Sequence, residues 1–112
     1  MKGKFQRSFD VLVMGSGLAG QSVALRLADT HRVALVTKKS LDDTATAWAQ
    51  GGIAAVLDDA DSIEAHIQDT YIAGAGLCDP AATRQVVEHG RDAIQWLIEQ
   101  GVPFTRGENG YH

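Results

Sequence analysis

Residues 9–20 read Phe-Asp-Val-Leu-Val-Met-Gly-Ser-Gly-Leu-Ala-Gly, the most informative segment of the chain. An apolar run, Val11 to Met14, leads directly into three glycines spaced Gly-x-Gly-x-x-Gly, and a helix-forming segment follows. A strand, a tight turn and a helix in this order are the context in which such glycines bind the pyrophosphate of a dinucleotide. The stretch therefore predicts a dinucleotide site. The alternative is a glycine-rich turn that only packs a helix on a sheet.

Each glycine of the motif has a separate expected role. Gly15 lets the chain turn sharply off the strand, Gly17 lets a pyrophosphate approach the backbone, and Gly20 lets the helix pack closely on the strand. The free N–H groups and the positive dipole end of the helix then face the phosphates. The predicted phosphate-binding residues are Gly15, Ser16, Gly17, Leu18, Ala19 and Gly20.

The rest of the chain reads as a short βαβ unit followed by helices. Strands are predicted over 9–14 and 33–36 with a helix over 18–29 between them, which makes one right-handed crossover unit. Further along we expect a short helix over 44–50 and a strand or extended loop over 53–57. A helix over 62–73 is predicted to begin with an Asp61–Glu64 capping box. A helical stretch is then predicted from Asp79-Pro80 to Gln100, with a break at Gly90.

The predicted fold class is α/β, as the N-terminal part of a Rossmann-like domain. Residues 1–8 are expected to form a flexible N-terminus and residues 9–112 a partial FAD- or NAD(P)-binding domain. A doubly wound sheet needs more strands than the two that are evident, and residues 106–112 have loop composition with no natural stop. The sequence therefore predicts an incomplete domain, the first part of a larger protein.

Composition excludes several classes of function. The chain has 112 residues, is 45% hydrophobic and 21% charged, and has a formal net charge of −4. No long basic run and no long apolar run occur, so neither nucleic acid nor a membrane is an expected partner. The single cysteine, Cys78, fits a half-buried thiol in a reducing compartment better than a nucleophile, and we expect a cytoplasmic protein with no metal site.

The residues after the second strand bear on which dinucleotide is bound. NAD-binding units place a carboxylate there for the ribose hydroxyl, but these positions are Thr37 and Lys38. Asp42 and Asp43 come later and are expected to lie too far along the connector. Lys38 suits a phosphate, or is an ordinary surface lysine. The residues alone therefore leave FAD, NADP and, less favoured, NAD open.

A second strip of small and hydroxyl residues follows. Such a run brings backbone N–H groups against a phosphate or a flat ring with little obstruction, although a helix–loop connector and a buried Trp48 remain alternatives. The residues predicted to contact the cofactor here are Ala45, Thr46, Ala47, Trp48, Ala49, Gln50, Gly51 and Gly52.

The chain resembles the N-terminal region of the L-aspartate oxidases, which are grouped with the flavoprotein subunits of succinate dehydrogenase and fumarate reductase. The resemblance rests on the motifs at 9–20, 37–38, 49–56, 61–64, 73–79, 95–98 and 101–104. In that group a Ser/Thr-Lys pair can replace the carboxylate, so the resemblance implies FAD. The respiratory flavoproteins carry a flavin-linked histidine where this chain has Ala45, which implies non-covalent FAD.

The family's activity is then the expected activity of the parent protein. By resemblance this is the FAD-dependent oxidation of L-aspartate to iminoaspartate, with oxygen or fumarate as the electron acceptor. The resemblance also implies a role in de novo NAD biosynthesis, with quinolinate synthase as a partner. The family's catalytic residues lie beyond His112, so no catalytic residue is assigned and the fragment alone is expected to be inactive. The alternatives are a fumarate reductase-like flavoprotein fragment and a stand-alone dinucleotide-binding module without turnover.

Overall fold

The computed structural model describes residues 6–49, 52–107 and 110–111. The chain divides into two compact units, Met1–Gly51 and Gly52–His112. Of the residues expected to form a flexible N-terminus, 1–5 lie outside the described residues and 6–8 have no regular secondary structure.

The first unit is the βαβ unit that the sequence predicts. It comprises β1 (Val11–Met14), α1 (Leu18–Leu27) and β2 (Val33–Val36). The strands pair in parallel with Val11 opposite Val33 and Met14 opposite Val36. The ladder begins two residues later than predicted. Just before it, Asp10 N donates to Arg32 O at 2.9 Å, and the Asp10 carboxylate accepts from Arg32 N at 2.8 Å.

The segment after β2 does not form the helix predicted over 44–50. It forms successive turns, with Trp48 N donating to Thr44 O at 3.3 Å and Ala49 N donating to Thr46 O at 3.2 Å. The hydroxyl of Thr44 accepts from Ala47 N at 3.1 Å, and such a local side-chain bond competes with helical pairing. Gln50 lies outside the described residues.

The second unit is mainly helical. Residues 52–57 have no regular secondary structure, so the loop alternative holds there. The elements that follow are α2 (Ile63–Gly74), α3 (Pro80–Glu88), α4 (Gly90–Glu99) and the two-residue antiparallel strands β3 (Arg106–Gly107) and β4 (Gly110–Tyr111). The β3–β4 pair was not predicted from the loop-like composition of the C-terminal residues.

Helix caps explain these boundaries and correct one prediction. The N-cap of α2 is Ser62, whose hydroxyl accepts from Ala65 N at 3.0 Å, whereas Asp61 accepts from Ser62 N one residue earlier. The predicted Asp61–Glu64 capping box is therefore wrong. The prediction for α3 is confirmed, because Asp79 accepts from Ala82 N at 2.8 Å and a proline occupies the first helical position.

Burial is unequal between the two units. The buried apolar side chains among the described residues all belong to the second unit and are Val56, Ile67, Val87, Ile94 and Leu97. In the described part of the first unit the one buried residue is Ser16, and Leu12 and Met14 of β1 are exposed. None of the helices within the described ranges has both the length and the apolar character to cross a bilayer.

Candidate cofactor-binding site

A cleft opens where β1 and β2 end, at the carboxyl edge of the parallel pair. Ligands of open α/β sheets bind at this edge, and the cleft volume of about 640 Å³ is typical of ligand pockets. It lies wholly within the first unit. Its lining residues are Met14, Gly15, Ser16, Gly17, Val36, Thr37, Lys38, Asp43, Thr44, Ala45 and Thr46.

The glycine turn has the geometry that the motif predicts. Gly15 adopts a φ of 113°, a left-handed conformation that favours glycine, and its N–H donates to Val36 O at 2.8 Å. A Cβ on Gly20 would overlap the carbonyl oxygen of Gly15. A Cβ on Gly17 would lie 3.2 Å from Thr46 Oγ1, which is tight. Gly15 is therefore favoured by its backbone conformation, and Gly20 is required by lack of space.

Two side chains tie the turn in place. The Nε2 of Gln21 donates to Ser16 O at 2.7 Å, and Leu18 N donates to Thr46 Oγ1 at 3.1 Å. The second bond joins residues 28 positions apart and satisfies one free N–H at the start of α1. Thr46 thus connects the second predicted contact strip to the turn.

Ser16 is the clearest sign that the cleft is built for a ligand. Its side chain is 2% exposed, and Oγ has no hydrogen-bond partner within the part of the chain that the structure describes. A buried hydroxyl without a partner is costly, and polar ligand atoms commonly satisfy such groups. A phosphate oxygen at the turn would supply the acceptor.

Some of the remaining predicted site residues lie beside the cleft, and others do not. Leu18, Ala19 and Gly20 form the first turn of α1, directly after the cleft-lining glycines. Ala47 and Trp48 line a neighbouring cleft of about 510 Å³ in the same unit, together with Lys39 and Asp43. Ala49 is exposed, Gln50 and Gly51 lie outside the described residues, and Gly52 is an exposed residue of the second unit.

Trp48 is not a core residue, because it is 78% exposed. Its Nε1 donates to Asp43 Oδ1 at 3.2 Å, and the other carboxylate oxygen of Asp43 pairs with Lys39 Nζ at 3.0 Å. Asp43 lines both clefts, although the sequence placed it too far along the connector. Its neighbour Asp42 has a lowered pKa because the Ser40 side chain hydrogen-bonds to the carboxylate.

No sequence pattern indicates Asp43 or Gln21 as site residues. The turns over 44–49 bring the connector back to the strand ends, which no local pattern indicates. Gln21 follows the last glycine of the motif, where the fingerprint specifies no residue type. Within the described ranges no three His, Cys, Asp or Glu residues are grouped so as to hold a metal ion.

Comparison with known families decides the class of protein. Residues 10–112 match the family described as the FAD binding domain. The chain belongs to this FAD-binding domain family. FAD is therefore the cofactor that the family implies, and the NADP and NAD alternatives left open by Thr37 and Lys38 are set aside.

The relatives of this FAD-binding domain are named L-aspartate oxidases. L-aspartate oxidase 1 of Ralstonia nicotianae is 62% identical in an alignment 108 residues long, and the match covers 94% of this chain and 20% of that protein. L-aspartate oxidase of Pseudomonas aeruginosa is 59% identical over 92% of this chain and 19% of that protein. The chain therefore spans about a fifth of the length of these relatives.

Solved structures agree with the fold class. The Mycobacterium smegmatis Sdh1 complex in the apo form contains a chain 30% identical to this one, with a TM-score of 0.83 over 93% of this chain and 18% of that chain. A variant of the E. coli quinol fumarate reductase is 32% identical, with a TM-score of 0.83 over 92% of this chain and 18% of that chain. The predicted α/β fold, as one part of a larger FAD-binding region, is confirmed.

The residues present fit FAD. The cleft combines a glycine turn that brings bare backbone to its lining, the N-terminus of α1, and the buried hydroxyl of Ser16, which has no partner among the described residues. These are the groups that a pyrophosphate needs, since it presents several acceptor oxygens and negative charge.

Proposed function

We propose that the chain is the FAD-binding part of an L-aspartate oxidase, which oxidises L-aspartate to iminoaspartate. The observation that carries this proposal is the 62% and 59% identity to two proteins of that name over more than nine-tenths of the chain. Bound FAD would accept the hydride removed from the substrate and pass the electrons to oxygen or fumarate.

The chain's own residues would hold the cofactor. In this proposal Gly15, Ser16 and Gly17 bind the pyrophosphate, with the Ser16 hydroxyl donating to a phosphate oxygen. Thr37 and Lys38 lie at the end of β2, where the adenosine end of a dinucleotide binds in this fold. The strip over 45–52 would contact the flavin side.

Attachment of the flavin would be non-covalent. Ala45 lines the cleft and carries a methyl group, which has no nucleophile to bond the flavin. Acid precipitation of the intact yellow protein should therefore leave the flavin in the supernatant. Flavin retained in the pellet would contradict this assignment.

Substrate oxidation by the intact protein tests the function directly. The purified flavoprotein, mixed anaerobically with L-aspartate, should lose its yellow flavin absorbance as the flavin is reduced, and regain it with oxygen or fumarate. D-aspartate and succinate are the matched controls. No bleaching with L-aspartate, while FAD is bound, would refute the proposal.

A fumarate reductase-like flavoprotein is the second candidate, favoured by the 32% identity to the E. coli enzyme. The same experiment separates the two, because such a protein would exchange electrons with succinate and fumarate and leave L-aspartate unchanged. A stand-alone dinucleotide-binding module would bind FAD and react with neither.

The wider role follows from the product. An iminoaspartate-forming enzyme would serve de novo NAD biosynthesis, with quinolinate synthase as the partner that consumes the product, in the cytoplasm. We propose that these 112 residues alone are inactive, since they correspond to about a fifth of the relatives. Turnover of L-aspartate by the isolated chain would contradict that.

A further inference from the structure

We infer that Gln21 is a positioning residue for the phosphate-binding turn. The amide of Gln21 fixes the Ser16–Gly17 peptide so that its N–H is available to a pyrophosphate. This inference rests on the proposed cofactor site and adds a residue that the glycine pattern does not contain.

Gln21 binds two successive carbonyl groups of the turn. Its side-chain Nε2 donates to Ser16 O at 2.7 Å, and its backbone N–H donates to Gly17 O at 3.0 Å. The second bond belongs to the ordinary helical pattern, but the first does not. A residue without a side-chain donor at this position would keep only the second.

The first bond determines which way one peptide unit faces. In a trans peptide the carbonyl and the N–H point to opposite sides of the chain. Because the Ser16 carbonyl is held by the side chain on α1, the N–H of Gly17 is turned to the other side. That N–H has no acceptor among the described residues, and Gly17 lines the cleft.

Two other N–H groups of the turn are already occupied by protein acceptors. Gly15 N is occupied by Val36 O, and Leu18 N is occupied by Thr46 Oγ1. Among the described residues, no acceptor is found for the Gly17 N–H, which belongs to the peptide that Gln21 holds, or for the buried hydroxyl of Ser16. Glycine at position 17 leaves that peptide free to rotate unless its carbonyl is fixed. Because Gln21 already holds this peptide in the free protein, less conformational entropy is lost when the cofactor binds.

The main test compares Gln21→Met with the unmodified intact protein after removal of FAD. Methionine has similar length and helix propensity but no donor. We expect the affinities for FAD and for ADP to fall about five- to tenfold, the effect of one lost hydrogen bond. The affinity for riboflavin, which has no pyrophosphate, should stay unchanged. A purely structural role would instead lower all affinities together with thermal stability.

The Gln21→Glu variant separates a hydrogen bond from a charge effect. An ionised carboxylate cannot donate to Ser16 O and repels phosphate, so FAD affinity near neutral pH should fall below that of Gln21→Met. A protonated carboxyl group donates again. As the pH is lowered toward about 4.5, near the ordinary glutamate pKa, the affinity should rise toward the wild-type value measured at the same pH.

These variants distinguish a wrong inference about Gln21 from a wrong placement of the FAD site. If Gly17→Val abolishes FAD and ADP binding while Gln21→Met binds both as tightly as wild type, the site stands and the inference about Gln21 is wrong. The inference is also wrong if the FAD affinity of Gln21→Glu rises at low pH only to the affinity of Gln21→Met. If Gly17→Val binds FAD normally, both the site and the inference are wrong.

Discussion

The two units of this chain differ in what they bury. The second unit encloses apolar side chains, with Ile67 3% and Ile94 5% exposed. The described part of the first unit encloses no apolar side chain to that degree, and its most buried residue is the hydroxyl-bearing Ser16 at 2%. The second unit is therefore organised around a small apolar core, and the first around a turn that leaves a polar group without a partner.

This difference indicates which interactions stabilise each unit. Apolar burial stabilises the helices of the second unit without a ligand. The first unit depends on backbone hydrogen bonds, on glycine conformation and on a few side-chain ties, while Met14 remains 82% exposed. Substitutions should therefore act on cofactor retention in the first unit and on unfolding in the second.

The largest effect is expected from Gly20→Val in the intact protein. Its Cβ would overlap the Gly15 carbonyl oxygen, so α1 and the turn cannot both keep their positions. The purified variant should contain no flavin, as read from the ratio of visible to ultraviolet absorbance. Gly90→Ala is the control, because its Cβ would lie 3.5 Å from Ala55 Cβ in ordinary contact. It should keep FAD and gain about 0.5 kcal/mol of stability.

Gly17→Val should also abolish flavin retention, through the ligand rather than through the fold. A branched side chain would occupy the space that the pyrophosphate needs. Gly17→Ala, whose Cβ lies 3.2 Å from Thr46 Oγ1, should bind FAD about tenfold more weakly. Titration with FAD measures both affinities, and circular dichroism checks folding. Normal yellow protein from the valine variant would contradict this placement of the cofactor.

In the second unit Ile94→Ala should reduce the free energy of unfolding by about 2–5 kcal/mol, because it leaves a cavity in α4's contact with the core. Urea unfolding of the 112-residue chain measures this. The matched change in the first unit, Met14→Ala, should cost less than about 0.5 kcal/mol in the same chain, since the side chain is mostly exposed. Equal losses from the two substitutions would contradict the difference in burial.

The smallest effect concerns pH. The Arg84 guanidinium donates to both carboxylate oxygens of Glu64, at 2.7 and 2.9 Å, and this lowers the Glu64 pKa. A lowered folded-state pKa contributes stability above the unfolded value of about 4.3, and the contribution is lost as the pH falls through the folded value. Glu64→Gln should remove this dependence, as measured by urea midpoints across that range at low salt. An unchanged pH profile would show that the pair contributes nothing.

How much the sequence predicts depends on the distance over which each feature is encoded. The βαβ unit follows from an apolar run, three glycines and a second β-rich run, and β2 was predicted residue for residue. The cap of α3 follows from Asp79 and Pro80, because capping bonds span only three residues. The choice of Ser62 over Asp61 was missed, since both residue types cap equally well and the path of the preceding chain selects one.

Local sequence features are enough to predict the turn, the strand pair and a dinucleotide ligand, because glycine conformation and hydrophobic period act over a few residues. Three features appear only in the folded chain: the bond from Leu18 to Thr46, the bond from Gln21 to Ser16, and the place of Asp43 at the cleft. These contacts depend on how the connector folds back toward the strand ends. Short-range patterns do not encode that path, since it results from the combined geometry of turns and hydrogen bonds between distant residues.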